Sequence, residues 1–102
     1  MASTDIVARV KKSLDLKEPP MFKVIYINDN VTTVEFVIDS LIQHFRYSKE
    51  TAEKLTLDIH EIGSATVAVL PFEVAEQKGI EVTLDARTAG FPLQVRLEPE
   101  EV

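Results

Sequence analysis

The sequence contains no cysteine, few glycines and few histidines, and each shortage excludes a class of site. Without cysteine there is no disulfide framework and no metal site built from thiolates. Three glycines do not make the glycine-rich loop that cradles a phosphate group. The two histidines, His44 and His60, lack the spacing of a ligand pair. We therefore expect no metal ion and no other cofactor.

A surplus of positive charge and a long apolar run are also missing. The net charge is −6, which makes a nucleic acid a poor partner because its phosphates are negative as well. A cationic ligand or a basic protein surface fits this charge better. No apolar run approaches the roughly 20 residues that a membrane helix needs, and the N-terminal residues do not form the apolar segment of a secretory signal. We expect a cytoplasmic protein with no membrane partner.

The chain of 102 residues is 45% hydrophobic, which suffices for one compact domain with a single core. Residues 1–20 are predicted to be a flexible N-terminal arm, since Pro19 and Pro20 end any helix that begins there. A functional alternative for this arm is a tether that engages a partner. We place the core domain at residues 21–98 and a short C-terminal tail at residues 99–102.

Hydrophobic periodicity predicts three strands and three helices in the core. The strands are expected at residues 21–27, 64–70 and 92–97, and the helices at residues 33–46, 49–60 and 72–88. Gly79 is expected to loosen the third helix locally, because glycine costs a helix interior about 1 kcal/mol relative to alanine. The order β-α-α-β-α-β with short connections predicts an α+β fold, a small three-stranded antiparallel sheet with three helices packed on it.

Polar and apolar side chains mark the start of the first helix. Thr32 and Glu35, three residues apart, are predicted to form a capping box there. Val31 and Phe36 are expected to pack together as a hydrophobic staple.

The turn between the first strand and the first helix carries Asn28, Asp29 and Asn30, three residues that favour turns. The second helix is predicted to end at His60, and a tight helical hairpin that folds back on the sheet brings His60 near this turn. An amide oxygen, a carboxylate and a neutral imidazole are the acceptors that a primary ammonium, with its three donors, requires. The simpler alternative is that residues 28–30 form only a turn and that His60 interacts only with the negative end of the helix dipole.

Catalytic residues are not evident in the sequence. Ser64 and Thr66 follow His60, but nothing places either hydroxyl on a sharp exposed turn of the kind that activates a nucleophile. We therefore expect no enzyme and no catalytic residue. An acid–base hydrolase that uses Asp29 and His60 is the least favoured alternative.

Five stretches of the chain together resemble the ClpS family, the bacterial and plastid adaptors that deliver N-degron substrates to a Clp AAA+ protease. They are FKVIYINDN, TVEFVIDSLIQHF, ETAEKLTLDIHEIG, FEVAEQK and FPLQVRLE, in this order and at matching spacing across residues 21–98. The resemblance implies an adaptor without enzymatic activity. We expect it to act as a monomer, in the cytoplasm or, if the chain comes from a photosynthetic eukaryote, in the plastid stroma.

The resemblance also implies roles for individual residues. Asn28, Asp29 and His60 would bind the free α-amino group of the substrate. The first side chain of the substrate would enter a hydrophobic pocket whose positions correspond to Val34, Val37, Thr56, Ile59 and Leu93. Glu73 and Lys78 on the third helix would contact the unfoldase, a ClpA- or ClpC-like AAA+ ATPase. The N-terminal arm would enter that unfoldase during delivery.

Three positions depart from the family pattern. The family often has Asp where this chain has Asn30, and commonly Met at the positions of Val34 and Thr56. Val34 is expected to widen the entrance of the pocket, and Thr56 to make the pocket roomier and less apolar. The expected substrates begin with Leu, Phe, Tyr or Trp, with Ile and Val as further candidates. The alternatives are a specialised paralogue with a shifted residue preference or without N-degron binding, and an interaction or structural domain resembling the C-terminal domain of the ribosomal stalk protein.

Overall fold

The computed structural model describes residues 19–101, which form a three-stranded antiparallel sheet and three helices. The elements follow in the order β1 (Met21–Ile27), α1 (Val34–Phe45), α2 (Lys49–Ile62), β2 (Ser64–Pro71), α3 (Phe72–Thr88) and β3 (Gln94–Pro99). The central strand, β1, pairs with β2 on one side and with β3 on the other. The predicted α+β fold and its element order are confirmed. None of these three helices is long and apolar enough to cross a membrane.

Most of the predicted N-terminal arm, residues 1–18, lies outside the described residues, as does residue 102. Of the arm, only Pro19 and Pro20 are described, and both are exposed. The Pro20 carbonyl accepts a hydrogen bond from the Phe72 N–H at 3.2 Å, so the chain enters β1 beside the first residue of α3.

The central strand supplies the middle of the core. Val24 and Tyr26 lie two positions apart on β1, point to the same face of the sheet and are fully buried. The Tyr26 hydroxyl and the Ser40 hydroxyl are hydrogen-bonded at 2.9 Å, which joins the sheet to α1. The other buried hydrophobic residues are Val37, Leu41, Ala52, Ile59, Val67, Ala75, Val82, Ala86 and Leu93.

Helix α1 is capped by Thr33 and not by Thr32. The Thr33 hydroxyl accepts a hydrogen bond from the Phe36 N–H at 3.2 Å. Thr32 belongs to the preceding turn, where both its N–H and its hydroxyl donate to the Asp29 carboxylate at 2.7 Å. The prediction of a capping box made by Thr32 and Glu35 is therefore wrong, because Asp29 holds Thr32 outside the helix.

The residues predicted to form a hydrophobic staple have other surroundings. The Val31 side chain is 58% exposed. The Phe36 ring packs edge-on against Phe91, with ring centroids 5.3 Å apart. Phe36 therefore joins α1 to the segment before β3, and this packing does not fix the entry of the chain into α1.

Helices α1 and α2 form a hairpin across the turn at residues 46–48. Ser48 caps α2, since its hydroxyl accepts a hydrogen bond from the Thr51 N–H at 3.2 Å. Gly63 ends α2 with a φ of 102°, a left-handed conformation that glycine adopts at little cost. The Asn28 N–H donates to the Gly63 carbonyl at 2.9 Å. A main-chain hydrogen bond therefore joins the turn after β1 to the end of α2.

Helix α3 occupies the predicted range and runs unbroken through Gly79, so the expected loosening is not observed. At this point the helix passes close to β3. A Cβ atom at position 79 would lie 3.7 Å from Val95 and 4.0 Å from Leu97. Gly79 thus lies where helix and strand are in contact.

Strand β3 begins at Gln94, two residues later than predicted. Arg87 holds the preceding segment outside the sheet, because its Nη1 atom donates to the carbonyls of Phe91 at 2.8 Å and Leu93 at 2.9 Å. The pattern of apolar residues does not reveal a bond between a side chain and the main chain, so the predicted start was wrong.

Candidate functional site

A hollow of about 260 Å³ lies where the turn after β1, the start of α1 and the end of α2 meet. We call it the first hollow. Polar side chains from the turn and from the end of α2 line one part of it, and side chains from facing sides of α1 and α2 line the other. The lining residues are Asn28, Asp29, Asn30, Thr32, Val34, Val37, Thr56, Ile59 and His60.

The structure thus brings together all three residues predicted to bind an amine and four of the five predicted for the hydrophobic pocket. Leu93 is the exception. It does not line the first hollow but is 1% exposed within the hydrophobic core. Its role in the hydrophobic pocket stays a prediction.

Asp29 organises the polar side of the first hollow. One carboxylate oxygen, Oδ1, accepts hydrogen bonds from the N–H groups of Val31 at 2.8 Å and Thr32 at 2.7 Å. The other, Oδ2, accepts from the Thr32 hydroxyl at 2.7 Å. A carboxylate has about four acceptor positions, so three donors leave capacity for one more partner.

These hydrogen bonds also fix the charge of Asp29. Partial burial acts to raise the pKa of its carboxyl, but the bonds from Thr32 and Val31 outweigh that effect, and Arg87 adds a smaller attraction. The net result is a pKa below the ordinary value of aspartate. Asp29 is therefore an anion at neutral pH, with its charge held at the edge of the first hollow.

Asn28 and His60 provide the other acceptors. Both side chains are exposed, and within residues 19–101 neither accepts or donates a side-chain hydrogen bond. Asn28 contributes an amide oxygen, and a neutral imidazole contributes one ring nitrogen. The main-chain bond between Asn28 and Gly63 joins the turn that carries Asn28 to the end of α2, the helix that carries His60.

The floor of the first hollow is apolar. Val37, Thr56 and Ile59 are 6%, 6% and 3% exposed. The Thr56 hydroxyl donates to the Ala52 carbonyl at 2.7 Å, so its hydrogen-bonding needs are met inside α2. Thr56 therefore lines the hollow without leaving an unpaired hydroxyl in it. Val34, at the mouth, is 54% exposed.

The residues predicted to contact an unfoldase lie on α3, away from the first hollow. Glu73 is exposed in the first turn, and the Lys78 ammonium lies 4.0 Å from the Glu81 carboxylate. Five positions along an α-helix correspond to a rotation of about 140°, so Glu73 and Lys78 project in well-separated directions.

Sequence reasoning did not include Thr32 in this site. Its neighbourhood with Asp29 gives a signal, because an Asp followed closely by Thr is typical of turns in which the carboxylate accepts main-chain N–H groups. Asn30, which the sequence analysis placed in the turn and described as a departure from the family pattern, also lines the first hollow.

The chain is similar in sequence to known proteins. The family described as "ATP-dependent Clp protease adaptor protein ClpS" matches residues 17–96. A ClpS adapter protein from Campylobacter jejuni is 42% identical over 85 residues, which cover 83% of this chain and 88% of the relative. A second relative, ClpS 2 of Rhizobium meliloti, is 37% identical over 101 residues, covering 99% of this chain and all of the relative.

A solved structure is similar over the same region. It is that of ClpS2 from Agrobacterium tumefaciens bound to L-phenylalaninamide, with a TM-score of 0.79 and 40% sequence identity. The similarity covers 81% of this chain and all of that one. With sequence matches over most of its length and the same fold, the chain belongs to the ClpS family, whose members are adaptors of the ATP-dependent Clp protease and not enzymes.

Proposed function

We propose that this adaptor binds the first residue of its substrates through the free α-amino group and delivers them to a Clp AAA+ unfoldase. The observation that carries the proposal is the division of the first hollow. Acceptors for an ammonium group lie at one side, and a closed apolar floor lies at the other. An N-terminal residue with a large apolar side chain complements both, because it offers an ammonium group and an apolar side chain.

The polar side suits a primary ammonium in number and charge. The three donors of the ammonium find an amide oxygen of Asn28, a carboxylate oxygen of Asp29 and a ring nitrogen of His60. Because Asp29 is anionic, its hydrogen bond to the ligand is charge-assisted. The site needs His60 in its neutral form, since protonation would turn the acceptor into a second cation.

The relative from Agrobacterium tumefaciens supports the choice of ligand. L-phenylalaninamide, bound to that protein, has a free α-amino group and an amide in place of its carboxylate. In both respects it imitates the first residue of a peptide. The proposed substrates of the present chain begin with Leu, Phe, Tyr or Trp, and the small Val34 at the mouth adds Ile and Val.

Delivery is assigned to α3 and the N-terminal arm. We propose that Glu73 and Lys78 contact a ClpA- or ClpC-like unfoldase and that residues 1–20 enter it. The position of Pro20 supports a joint action, since its hydrogen bond to Phe72 places the end of the arm one residue from Glu73.

The requirement for a free α-amino group is tested by titrating the full-length chain with fluorescent peptides that begin with Phe. Acetylation of the peptide should abolish binding, because it removes the charge and two of the three donors. Asp29→Ala and His60→Ala should each weaken binding about tenfold or more, since hydrogen bonds to charged groups contribute about 1.5–3 kcal/mol.

Asp39→Ala is the matched control for this test. Asp39 is an exposed carboxylate on α1 that does not line the first hollow, so its loss should change affinity less than about twofold. Equal binding of free and acetylated peptides would exclude the proposed function.

A further inference from the structure

A second hollow adjoins the first and shares three of its residues. It has a volume of about 220 Å³. Its lining consists of the shared Val34, Thr56 and His60 together with Ile38, Glu53 and Leu57. The three shared side chains form a ridge between the two hollows.

Helix geometry places the hollows on opposite sides of this ridge. On α1, at 100° per residue, Val37 lies about 60° to one side of Val34 and Ile38 lies about 40° to the other. Val37 lines the first hollow and Ile38 lines the second hollow. On α2, Ile59 and Leu57 likewise lie about 80° to either side of the line that Thr56 and His60 define.

This arrangement matches the alternation of side chains along an extended peptide, in which successive side chains point to opposite sides. A substrate whose amine lies at Asn28, Asp29 and His60 has its first side chain in the first hollow. Its main chain then crosses the ridge, and the next Cα is 3.8 Å further on. Resting on the proposed function, the geometry points to the second hollow as the site for the substrate's second side chain.

The lining of the second hollow favours a long aliphatic side chain with a cationic end. Val34 and Leu57 are 54% and 55% exposed, and with the half-buried Ile38 they offer apolar surface that a ligand can cover. Glu53 is the one acidic residue of the lining and forms no salt bridge within residues 19–101. In the same part of the chain, no lysine or arginine lines the hollow. Arginine and lysine fit as ligands because their stems pack on apolar surface while their charge stays near water.

The test compares peptides that begin with Phe and differ only at the second residue, which is arginine, norleucine, alanine or glutamate. Each affinity is divided by the affinity of the same protein variant for L-phenylalaninamide, which ends after the first residue and so reports the first hollow alone. Arginine should bind about two- to fivefold more tightly than norleucine, the range of an exposed ion pair. Norleucine should bind more tightly than alanine, and glutamate should bind least.

Two variants separate the contributions of charge and apolar surface. Glu53→Gln should remove the advantage of arginine over norleucine and keep that of norleucine over alanine. Leu57→Ser should reduce the advantage of norleucine over alanine and keep that of arginine over norleucine. Glu76→Gln, an equal loss of charge on α3 at a residue outside both hollows, should change neither ratio.

The outcomes distinguish this inference from the proposed function. If binding depends on the free amine but all four second residues bind equally, the second hollow is not a subsite and the proposed function stands. An unchanged ratio of arginine to norleucine in Glu53→Gln would likewise overturn the inference and leave the proposed function in place. If acetylated peptides bind as well as free ones, the proposed function fails and this inference fails with it.

Discussion

Val34 and Thr56 determine the size of the first hollow at the scale of single residues. Both are positions at which the resemblance implies a longer Met, and both line the hollow. The sequence placed both in this pocket through its resemblance to the ClpS family. It did not predict how Thr56 behaves, since the bond from its hydroxyl to the Ala52 carbonyl depends on the helix being formed.

A larger residue at the mouth should restore discrimination against branched side chains. Leu and Phe have an unbranched Cβ, whereas Ile and Val would clash with a bulky neighbour there, and overpacking of that kind costs about 1–3 kcal/mol. We expect the natural chain to bind Leu-initiated peptides less than about tenfold more tightly than Ile-initiated ones. Val34→Met should weaken Ile- and Val-initiated peptides and spare Leu and Phe.

Equilibrium titrations of the four peptides against both proteins measure this selectivity. Val31→Met serves as the control, because Val31 is similarly exposed but does not line the first hollow. A natural chain that already rejects Ile by a hundredfold or more would show that Val34 does not open the mouth.

The turn between β1 and α1 is the element that positions the charge. The sequence predicted a turn at residues 28–30 and a helix just after it, and both are present. It assigned the helix cap to Thr32, because Glu35 three residues later completes the pattern of a capping box. What decides between Thr32 and Thr33 is the pair of bonds from Thr32 to Asp29, a local turn whose pattern competes with that of the capping box.

The lowered pKa of Asp29 makes this turn a pH-dependent contribution to stability. Because the pKa is lower in the folded chain, the contribution is present above the unfolded-state value of about 3.9 and is lost as the pH falls through the folded value. Asp29→Asn should therefore destabilise the protein at pH 7, by on the order of 1 kcal/mol. The difference from the natural chain should shrink as the pH falls below the unfolded-state value and through the folded one.

Urea unfolding at pH 7, 5 and 3 provides the measurement. Asp39→Asn is the control, because Asp39 is exposed and forms no hydrogen bond or salt bridge within the described part of the chain. A destabilisation by Asp29→Asn that is equal at all three pH values would show that charge is not the cause.

On the scale of the whole molecule, the binding hollows and the proposed delivery face lie on different elements. The hollows are built from the turn after β1, α1 and α2, whereas Glu73 and Lys78 lie on α3. The element order that separates them was predictable from hydrophobic periodicity. The start of β3 was not, because Arg87 fixes residues 91–93 through bonds that appear only in the folded chain.

This separation predicts that delivery can be lost while binding is kept. Deleting residues 1–18 leaves Pro20 and its bond to Phe72 in place, so peptide affinity should change less than about twofold. Degradation of a Phe-initiated substrate by the unfoldase and its protease should stop. Replacing residues 1–18 with Gly and Ser residues of equal number tests whether delivery depends on the sequence of the arm or only on its length. Degradation at the full rate without any arm would show that residues 1–18 have no role in delivery.

The bond between the Asn28 N–H and the Gly63 carbonyl has a consequence for how the family can change its substrates. Because it joins two main-chain groups, no ordinary side-chain substitution removes it, and the acceptors around it are already assembled before a ligand arrives. A ligand that meets a preassembled site spends less of its binding free energy on ordering. Under the proposed function, the side chains at positions 34 and 56 can therefore be exchanged, and the preference among N-terminal residues altered, while the acceptors for a free amine stay in place.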